Sequence, residues 1–556
     1  MSTRVITTIC PNIDTNLEHH DIKLVSPSAV TWRQWISTSY SNVSTTWSMP
    51  SPNTSIYIDR MILCATPITI TYAGTSTGSL LENGKDALRA FPIASITTSN
   101  QLTLNNATFT FQTSELVPKM ARFWDTDSYD NHGFPSMLDT YQRYQDGDAT
   151  NANPLANYGN MVGKVQPRGA YPMVIVNGVS STAASISATI YEPIWIPCLH
   201  RKYDDGLGFT NVRSFDLVSN YSSNLSRIVS HSLGSSATIT SVTVNVTGNP
   251  IIFMKYNTPP YGYVPRTISY RSEDINRFIT PCPTAPLTAN SSVTFPSTNI
   301  QLNCIPKWVI ICCIESALNS TYTTTDTALN ISNISINFNN QSGLCSSMSE
   351  FSLWKTSAEN GLQDSWAQYH GITQNTVLPG TAVGSSGSYI KLFFGKDIPL
   401  GTVGDYPGKV GAYNFSCNVT VTNVNQSASI TSPQLYIITS SALKVVLHEG
   451  GACEQVLGID DVEGSYMPFN QVSEYYGGSF KDFISKVWNG IKSVGRFIKD
   501  NKLISSIASV IPHPIAQTVG QVARSVGLGD EIYDPSEGGR IATRRELMRR
   551  VRAMKK

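Results

Sequence analysis

The sequence predicts an all-β body of two tandem sandwiches, followed by a helical, basic tail. Three observations carry this. Short Thr-, Val- and Ile-rich segments with period-two alternation recur along residues 20–450, the pattern of half-buried antiparallel strands. No strand–helix–strand alternation occurs, which argues against a parallel sheet. From residue 479 onward the composition changes abruptly.

The strand signals are short and frequent. They lie at residues 66–72 (TPITITY), 184–190 (ASISATI), 237–246 (ATITSVTVNV), 331–338 (ISNISINF), 389–394 (YIKLFF), 413–422 (YNFSCNVTVT) and 435–439 (LYIIT). Gly, Pro and Asn clusters separate them. Two stretches of roughly 200 residues each carry the pattern, a size that one sandwich fills. Their junction is expected near residue 240, and the β signal ends after Val446. Residues 125–160 form a long loop with a short helical stretch at 137–144. A loop of that length usually has a task. Residues 347–371 read as amphipathic helix anchored by Trp354 and Trp366.

Charged residues make up only 14% of the chain, yet 41% is hydrophobic. A soluble protein averages about 25% charged, so this surface suits contact with other protein surfaces. The net charge of +1 conceals an asymmetry. Residues 479–556 hold 15 Lys and Arg against 7 Asp and Glu, which leaves 25 and 32 for residues 1–478. A basic end (+8) on an acidic body (−7) points to polyanions or anionic lipid at that end.

The ten cysteines form no CxxC, and Cys312-Cys313 lie inside an apolar run. The first residues lack an apolar core of signal-peptide length. The apolar run from Trp308 to Ile314 is far too short to span a bilayer. The expectation is a chain made in a reducing compartment and not secreted. Asn-x-Ser/Thr triplets at Asn42, Asn220 and Asn418 then read as β-surface composition.

Motifs for chemistry are sparse. Residues 78–86 (GSLLENGKD) approach a phosphate-binding loop, but the glycine spacing is one too long and Asp86 stands where Ser or Thr is needed. Gly384-Ser385-Ser386-Gly387 lacks nucleophile-elbow spacing and reads as a turn between strands. Asp125, Asp127 and Asp130 read as a solvated loop, with structural Ca²⁺ as the alternative; Tyr129 breaks the EF-hand pattern. His19-His20 has no accompanying ligand spacing. No catalytic residue, cofactor or metal site is expected.

In the tail, Phe480, Phe483, Ile484, Val487, Trp488, Ile491, Val494, Phe497 and Ile498 recur in steps of three and four, forming one helical stripe. Lys481, Lys486, Lys492, Arg496 and Lys499 fall mostly off it. Gly490 and Gly495 weaken an isolated helix here, so a partner surface is expected to stabilise it. Three roles fit residues 479–502: tying the inner face of a protein lattice, lying in a membrane interface, or packing on the β body. Arg540, Arg544, Arg545, Arg549, Arg550, Arg552, Lys555 and Lys556 suit salt-dependent phosphate contact.

An ordered set of motifs resembles the double jelly-roll major capsid proteins of polinton-like viruses, virophages and their adintovirus relatives. It begins with Ser39-Tyr40-Ser41-Asn42, Met49-Pro50-Ser51-Pro52-Asn53, Ile58-Asp59-Arg60, Pro67-Ile68-Thr69-Ile70 and Gly74. Ala87-Leu88-Arg89-Ala90-Phe91-Pro92, Pro135-Ser136-Met137-Leu138-Asp139 and Glu192-Pro193-Ile194-Trp195-Ile196 follow. The second half supplies Phe295-Pro296-Ser297-Thr298-Asn299-Ile300-Gln301-Leu302, Ile305-Pro306, Asn360-Gly361-Leu362 with Trp366, Gly387-Ser388-Tyr389, Gly395-Lys396-Asp397-Ile398 and Pro407-Gly408.

The resemblance implies two tandem eight-stranded jelly rolls. An arm (1–20) precedes the first roll (21–238) and the second (239–450). A connector (451–478), the amphipathic tail (479–530) and the basic terminus (531–556) follow. It implies a non-enzymatic major capsid protein that trimerises into pseudo-hexagonal capsomers of an icosahedral double-stranded DNA virus shell. Penton and minor capsid proteins would be partners, with genomic DNA and membrane reached through the tail. The place would be the virion, assembled inside the host cell. Two other classes fit the residues: a tandem β-sandwich attachment protein of lectin type, and a membrane-active protein working through the tail helix.

Overall fold

The structure is a computed structural model. It describes residues 27–50, 56–81, 86–89, 91–124, 173–180, 182–199, 208–231, 237–259, 267–316, 322, 328–374, 382–384, 386–401, 405–424 and 430–458. The loop at 125–160, the tail stripe and the basic terminus lie outside the described residues.

The first roll comprises β1 (Ala29–Ile36), β2 (Ser44–Met49), β3 (Leu63–Thr75), β4 (Thr97–Leu104), β5 (Ala107–Phe111), β6 (Ala183–Pro193), β7 (Phe215–Tyr221), β8 (Thr238–Val246) and β9 (Ile251–Thr258). One sheet runs β1–β9–β3–β6, with the short strand Met173–Asn177 added along the outer edge of β6, and β8 continues the line of β9 along β3; the other runs β2–β7–β4–β5. Between β3 and β4 sits α1 (Pro92–Ile96), and α2 (Thr113–Met120) follows β5.

The second roll repeats the plan. Its strands are β10 (Thr267–Pro281), β11 (Ser292–Pro296), β12 (Ile300–Cys304), β13 (Trp308–Glu315), β14 (Asn330–Phe338), β15 (Gln341–Leu344), β16 (Tyr389–Phe393), β17 (Val410–Thr422) and β18 (Pro433–His448). The sheets run β10–β18–β13–β16 and, with β11 and β12 sharing one position, β11/β12–β17–β14–β15. Helices α3 (Glu350–Glu359) and α4 (Trp366–His370) follow β15, as the Trp354 and Trp366 anchors required. Each roll is thus an eight-position jelly roll, and every pairing among these strands is antiparallel.

Alternation explains most of these strands. In β3, Ile68, Ile70 and Tyr72 are buried between the sheets while Thr69 and Thr71 face out. Strands β13, β16 and β18 differ. Their cores, Trp308–Cys313, Tyr389–Leu392 and Leu435–Ser441, are buried at consecutive positions. Runs buried on both faces read as continuous apolar sequence, and this is what WVIICC and LYIIT are. One apolar cluster runs through both rolls; a smaller one around Ile70, Ile186 and Ile190 fills the far end of the first.

Two sequence expectations need correction. Residues 237–246 do not open the second roll. Strand β8 pairs with β3 from Thr75 to Ile68, and β9 pairs with β1 along its whole length, so the first roll closes at Thr258. A junction near 240 would have cut this strand line. Nor does the β signal end after Val446. Past a turn in which Gly451 takes φ +86, β19 (Cys453–Leu457) pairs with Leu443–Leu447.

Glu192, in the Glu192-Pro193 motif, ends β6 and points between the sheets. It is 3% exposed, and its Oε1 and Oε2 accept the N–H groups of Ile93 and Ala94, each at 2.9 Å. These are orphan donors at the start of α1. Burial pushes this carboxyl up to about 7, against the pull of those two hydrogen bonds. Unfolded, the group returns to its ordinary 4.5. The folded chain therefore holds the proton more tightly, and its contribution is full below pH 4.5 and lost as pH rises through 7. Thermal melts should show wild type losing on the order of 3 kcal/mol relative to Glu192→Gln between pH 4.5 and 8. A difference independent of pH would contradict this.

Candidate assembly interface

The described residues offer little for catalysis. No group of three or more His, Cys, Asp or Glu side chains is placed to hold a metal among them. Burial pushes the thiols of Cys64 and Cys198 up to about 12 and that of Cys312 to about 11, so these stay protonated and inert. Beside Glu192 a cavity of about 20 Å³, lined by Cys64, Thr66, Asn100 and Ser219, has room for one water and no larger ligand. Gly384-Ser385-Ser386-Gly387 lies immediately before β16. Gly387 takes φ +79, and a Cβ there would meet the Ala328 carbonyl at 1.8 Å. Its glycine is needed for backbone contact.

The dense polar geometry lies where the rolls meet. Cross-strand pairing sets Ile279, Tyr436, Cys312 and Tyr389 in one row across the β10–β18–β13–β16 sheet, with Arg277, Ile438, Ile310 and Lys391 in the next. Residues two apart share a face, so both rows lie on the sheet's outer side. That side is closed by α2 and the turn after it. The Lys119 ammonium sits 4.1 Å from the Tyr436 ring centroid, and the Arg122 guanidinium 4.6 Å from that of Tyr389. Arg122 also pairs with Asp364 at 3.1 Å while only 2% exposed. Glu115 pairs with Arg277 at 2.6 Å. In return, Lys391 reaches the ring of Phe123 at 5.2 Å, and also that of Trp308 at 5.4 Å. Desolvated cation–π contacts of this kind are worth up to about 2 kcal/mol each.

A second set of bolts lies beside the first. Arg60, from the Ile58-Asp59-Arg60 motif, is 2% exposed. It donates to the Cys198 carbonyl in its own roll and to the Arg271 carbonyl in the other, both at 2.8 Å. The Tyr270 hydroxyl donates to the Gly208 carbonyl at 2.8 Å and accepts from the Thr210 N–H at 2.9 Å. Its ring meets Phe209 edge-on at 4.9 Å. At β19, the Cys453 N–H donates to Asn106 Oδ1 at 2.6 Å.

Several motif residues singled out in the sequence serve this seam. Gly361 (φ +102) brings its backbone against the Phe123 carbonyl, 3.1 Å from where a Cβ would stand. Asn360 donates to the Lys391 carbonyl at 2.8 Å and to Asp397 at 2.7 Å, and accepts from Lys396 at 2.7 Å. Lys119, Arg122 and Lys391 were not foreseen. Their only sequence signal is a cation set among apolar neighbours, as in YIKLFF.

Two like rolls locked by buried cations define a double jelly-roll protein whose chemistry lies in its surfaces. Comparison with known proteins narrows the class. Residues 23–258 match the family model of the Sputnik virophage major capsid protein first domain, and residues 275–442 that of the major capsid protein V20 C-terminal domain. The two matches divide where the strands do. The putative capsid protein V20 of Sputnik virophage is 30% identical over 586 residues, covering 98% of this chain and 97% of that protein. The structure is similar to the Sputnik virophage structure from cryo-EM (TM-score 0.73, 27% identity, 85% of this chain and 98% of that one). It also resembles the crystal structure of the mavirus major capsid protein (TM-score 0.65, 16% identity, 84% and 98%), which speaks to the fold. The chain belongs to the Sputnik virophage major capsid protein family; it is a structural capsid protein and not an enzyme.

If the seam holds the rolls as described, Arg122→Ala strands Asp364 and uncovers Tyr389. The expected cost is about 3–5 kcal/mol, read from urea unfolding. A loss below about 1 kcal/mol, the range of surface pairs, would mean that the seam is not held there.

Proposed function

We propose that three copies of this chain form a pseudo-hexagonal capsomer, and that these capsomers tile the icosahedral shell of a double-stranded DNA virus. One observation supports this above the rest. A single chain holds two rolls of the same strand order at a seam fixed by buried contacts, so three chains supply six like units. The low charge fraction, 14%, suits faces buried against one another. Penton and minor capsid proteins would fill the positions that trimers cannot. Assembly would take place inside the host cell.

The tail takes the inward role in this reading. The stripe from Phe480 to Ile498 ties capsomers along the inner face of the lattice, with membrane contact as its alternative. The cluster from Arg540 to Lys556 neutralises genome phosphate without reading sequence. The test compares the full chain with one lacking residues 540–556. Both should run as trimers by light scattering. The shortened chain should bind duplex DNA more weakly, its salt dependence shallower by about 0.9 log units for each phosphate that it no longer neutralises. Loss of the trimer on deletion, or unchanged DNA affinity, would contradict the assignment.

A further inference from the structure

The two rolls share a plan but differ in what covers them. In the second roll, the outer face of the β10–β18–β13–β16 sheet is sealed. Tyr436, Ile310, Ile438 and Cys312 are each no more than 1% exposed beneath or beside α2 of the first roll. The matching face of the first roll lies on the β1–β9–β3–β6 sheet. Its rows are Ile36–Ile251–Ala65–Tyr191 and Gln34–Phe253–Leu63–Pro193, and Trp32 opposite Lys255 comes next. Here Val30 is 47%, Trp32 64% and Ile36 60% exposed, while Ile251, Phe253 and Leu63 are half-buried. The polarity of this face is that of an interface, in a position whose counterpart is an interface within the chain.

The covering element also has a counterpart. Helix α2 directly follows β5, the fourth strand of its sheet. Helix α3 follows β15, the fourth strand of the equivalent sheet, at the same point in the second roll. It carries an aromatic ridge. Phe351 is 54% exposed, and its ring centroid lies 5.2 Å from those of both Trp354 and Trp366. Trp354 and Trp366 are half-buried against the core and support the exposed Phe351 ring, and an exposed aromatic backed by others is a common form of interface anchor. Leu353 and Ser357, on the opposite side of α3, are fully buried against its own roll, so the ridge cannot turn inward.

We propose that the Phe351–Trp354–Trp366 ridge of one copy seats on the Val30–Trp32–Ile36 face of the next, repeating between chains the contact that α2 makes within one. This rests on the trimeric reading and names the surfaces that carry it. The contact is heterologous: one surface on each copy meets a different surface on its neighbour. When each roll-to-roll step is a sixth of a turn, the alternation of internal and external seams closes after three chains. Unlike the internal seam, the external one is led by aromatic and aliphatic groups rather than buried cations. The chain can therefore fold alone with this face wet and bury it on assembly.

The test uses the purified full-length chain and light scattering after size exclusion. Wild type should have the mass of three chains. Phe351→Asp and Trp32→Asp should each fall to one and still melt cooperatively, because both side chains are exposed in the single chain, with the melting temperature lowered only by the stabilisation that assembly adds. Mixed in equal amounts, the two variants should give a two-chain species. Each supplies the surface that the other lacks, and the ring cannot close. Trimers from Phe351→Asp would overturn the proposal. So would a mixture that stays monomeric. Pairing of β1 with β1 of a second copy would leave Phe351→Asp self-associated, which also overturns the proposal. A wild type of another mass that still dissociates on Phe351→Asp would remove the trimer and keep the contact. A monomeric wild type would remove both. Should an Asp variant lose its fold, Phe351→Ser and Ile36→Thr serve in its place with the same readings.

Discussion

The second roll has a sheet that is apolar on both faces, and one chain must cover both. The inner face packs on its own partner sheet, as in any sandwich. The outer face, with Ile310, Cys312, Tyr389 and Ile438, would otherwise lie open to water. At about 25 cal/mol per Å² of apolar area, leaving it wet would be far costlier than one ordinary mutation. The first roll covers it with α2, and this coverage sets the relation between the rolls. Cations decorate the contact where α2 has polar positions to place. Lys119, Arg122 and Lys391 lie over rings, and Arg122 also finds a carboxylate in Asp364. The seam is thus a core interface with charges fitted into it.

Other features follow from that constraint. Because the seam is internal, the subunit presents two rolls as one rigid footprint. On the first roll's matching sheet Val30, Trp32 and Ile36 stay exposed. The Ile58-Asp59-Arg60 motif makes sense as a brace: Arg60 bonds a carbonyl in each roll, and Asp59 pairs with Lys255 at 3.5 Å. Glu192, whose contribution is lost as pH rises, lies elsewhere, between the sheets of the first roll, where it organises α1.

Much of the fold was legible because half-buried strands announce themselves by alternation. TPITITY, ISNISINF and YNFSCNVTVT each became a strand with one buried face. The boundary between rolls was not legible. ATITSVTVNV alternates equally well as the last strand of one roll or the first of the next, and only its pairing with β3 decides. The seam was half visible. WVIICC and LYIIT carry too many consecutive apolar residues for strands with a wet face, which marks a sheet covered on both sides. Which element covers it depends on contacts between residues far apart in sequence, such as Arg122 and Asp364, and no local pattern encodes that. The exposed ridge at Phe351 was hidden for the opposite reason: on an amphipathic helix, one more aromatic residue reads as core.

Amide hydrogen exchange under native conditions tests the central claim most directly. If the outer face of the second roll is part of a core shared with the first, amides in β13 and β18 should exchange only through the same global opening as those in β4 and β7, at one free energy and one denaturant slope. Second-roll amides that open separately, at lower free energy and with a shallower slope, would show two independent barrels and contradict the account.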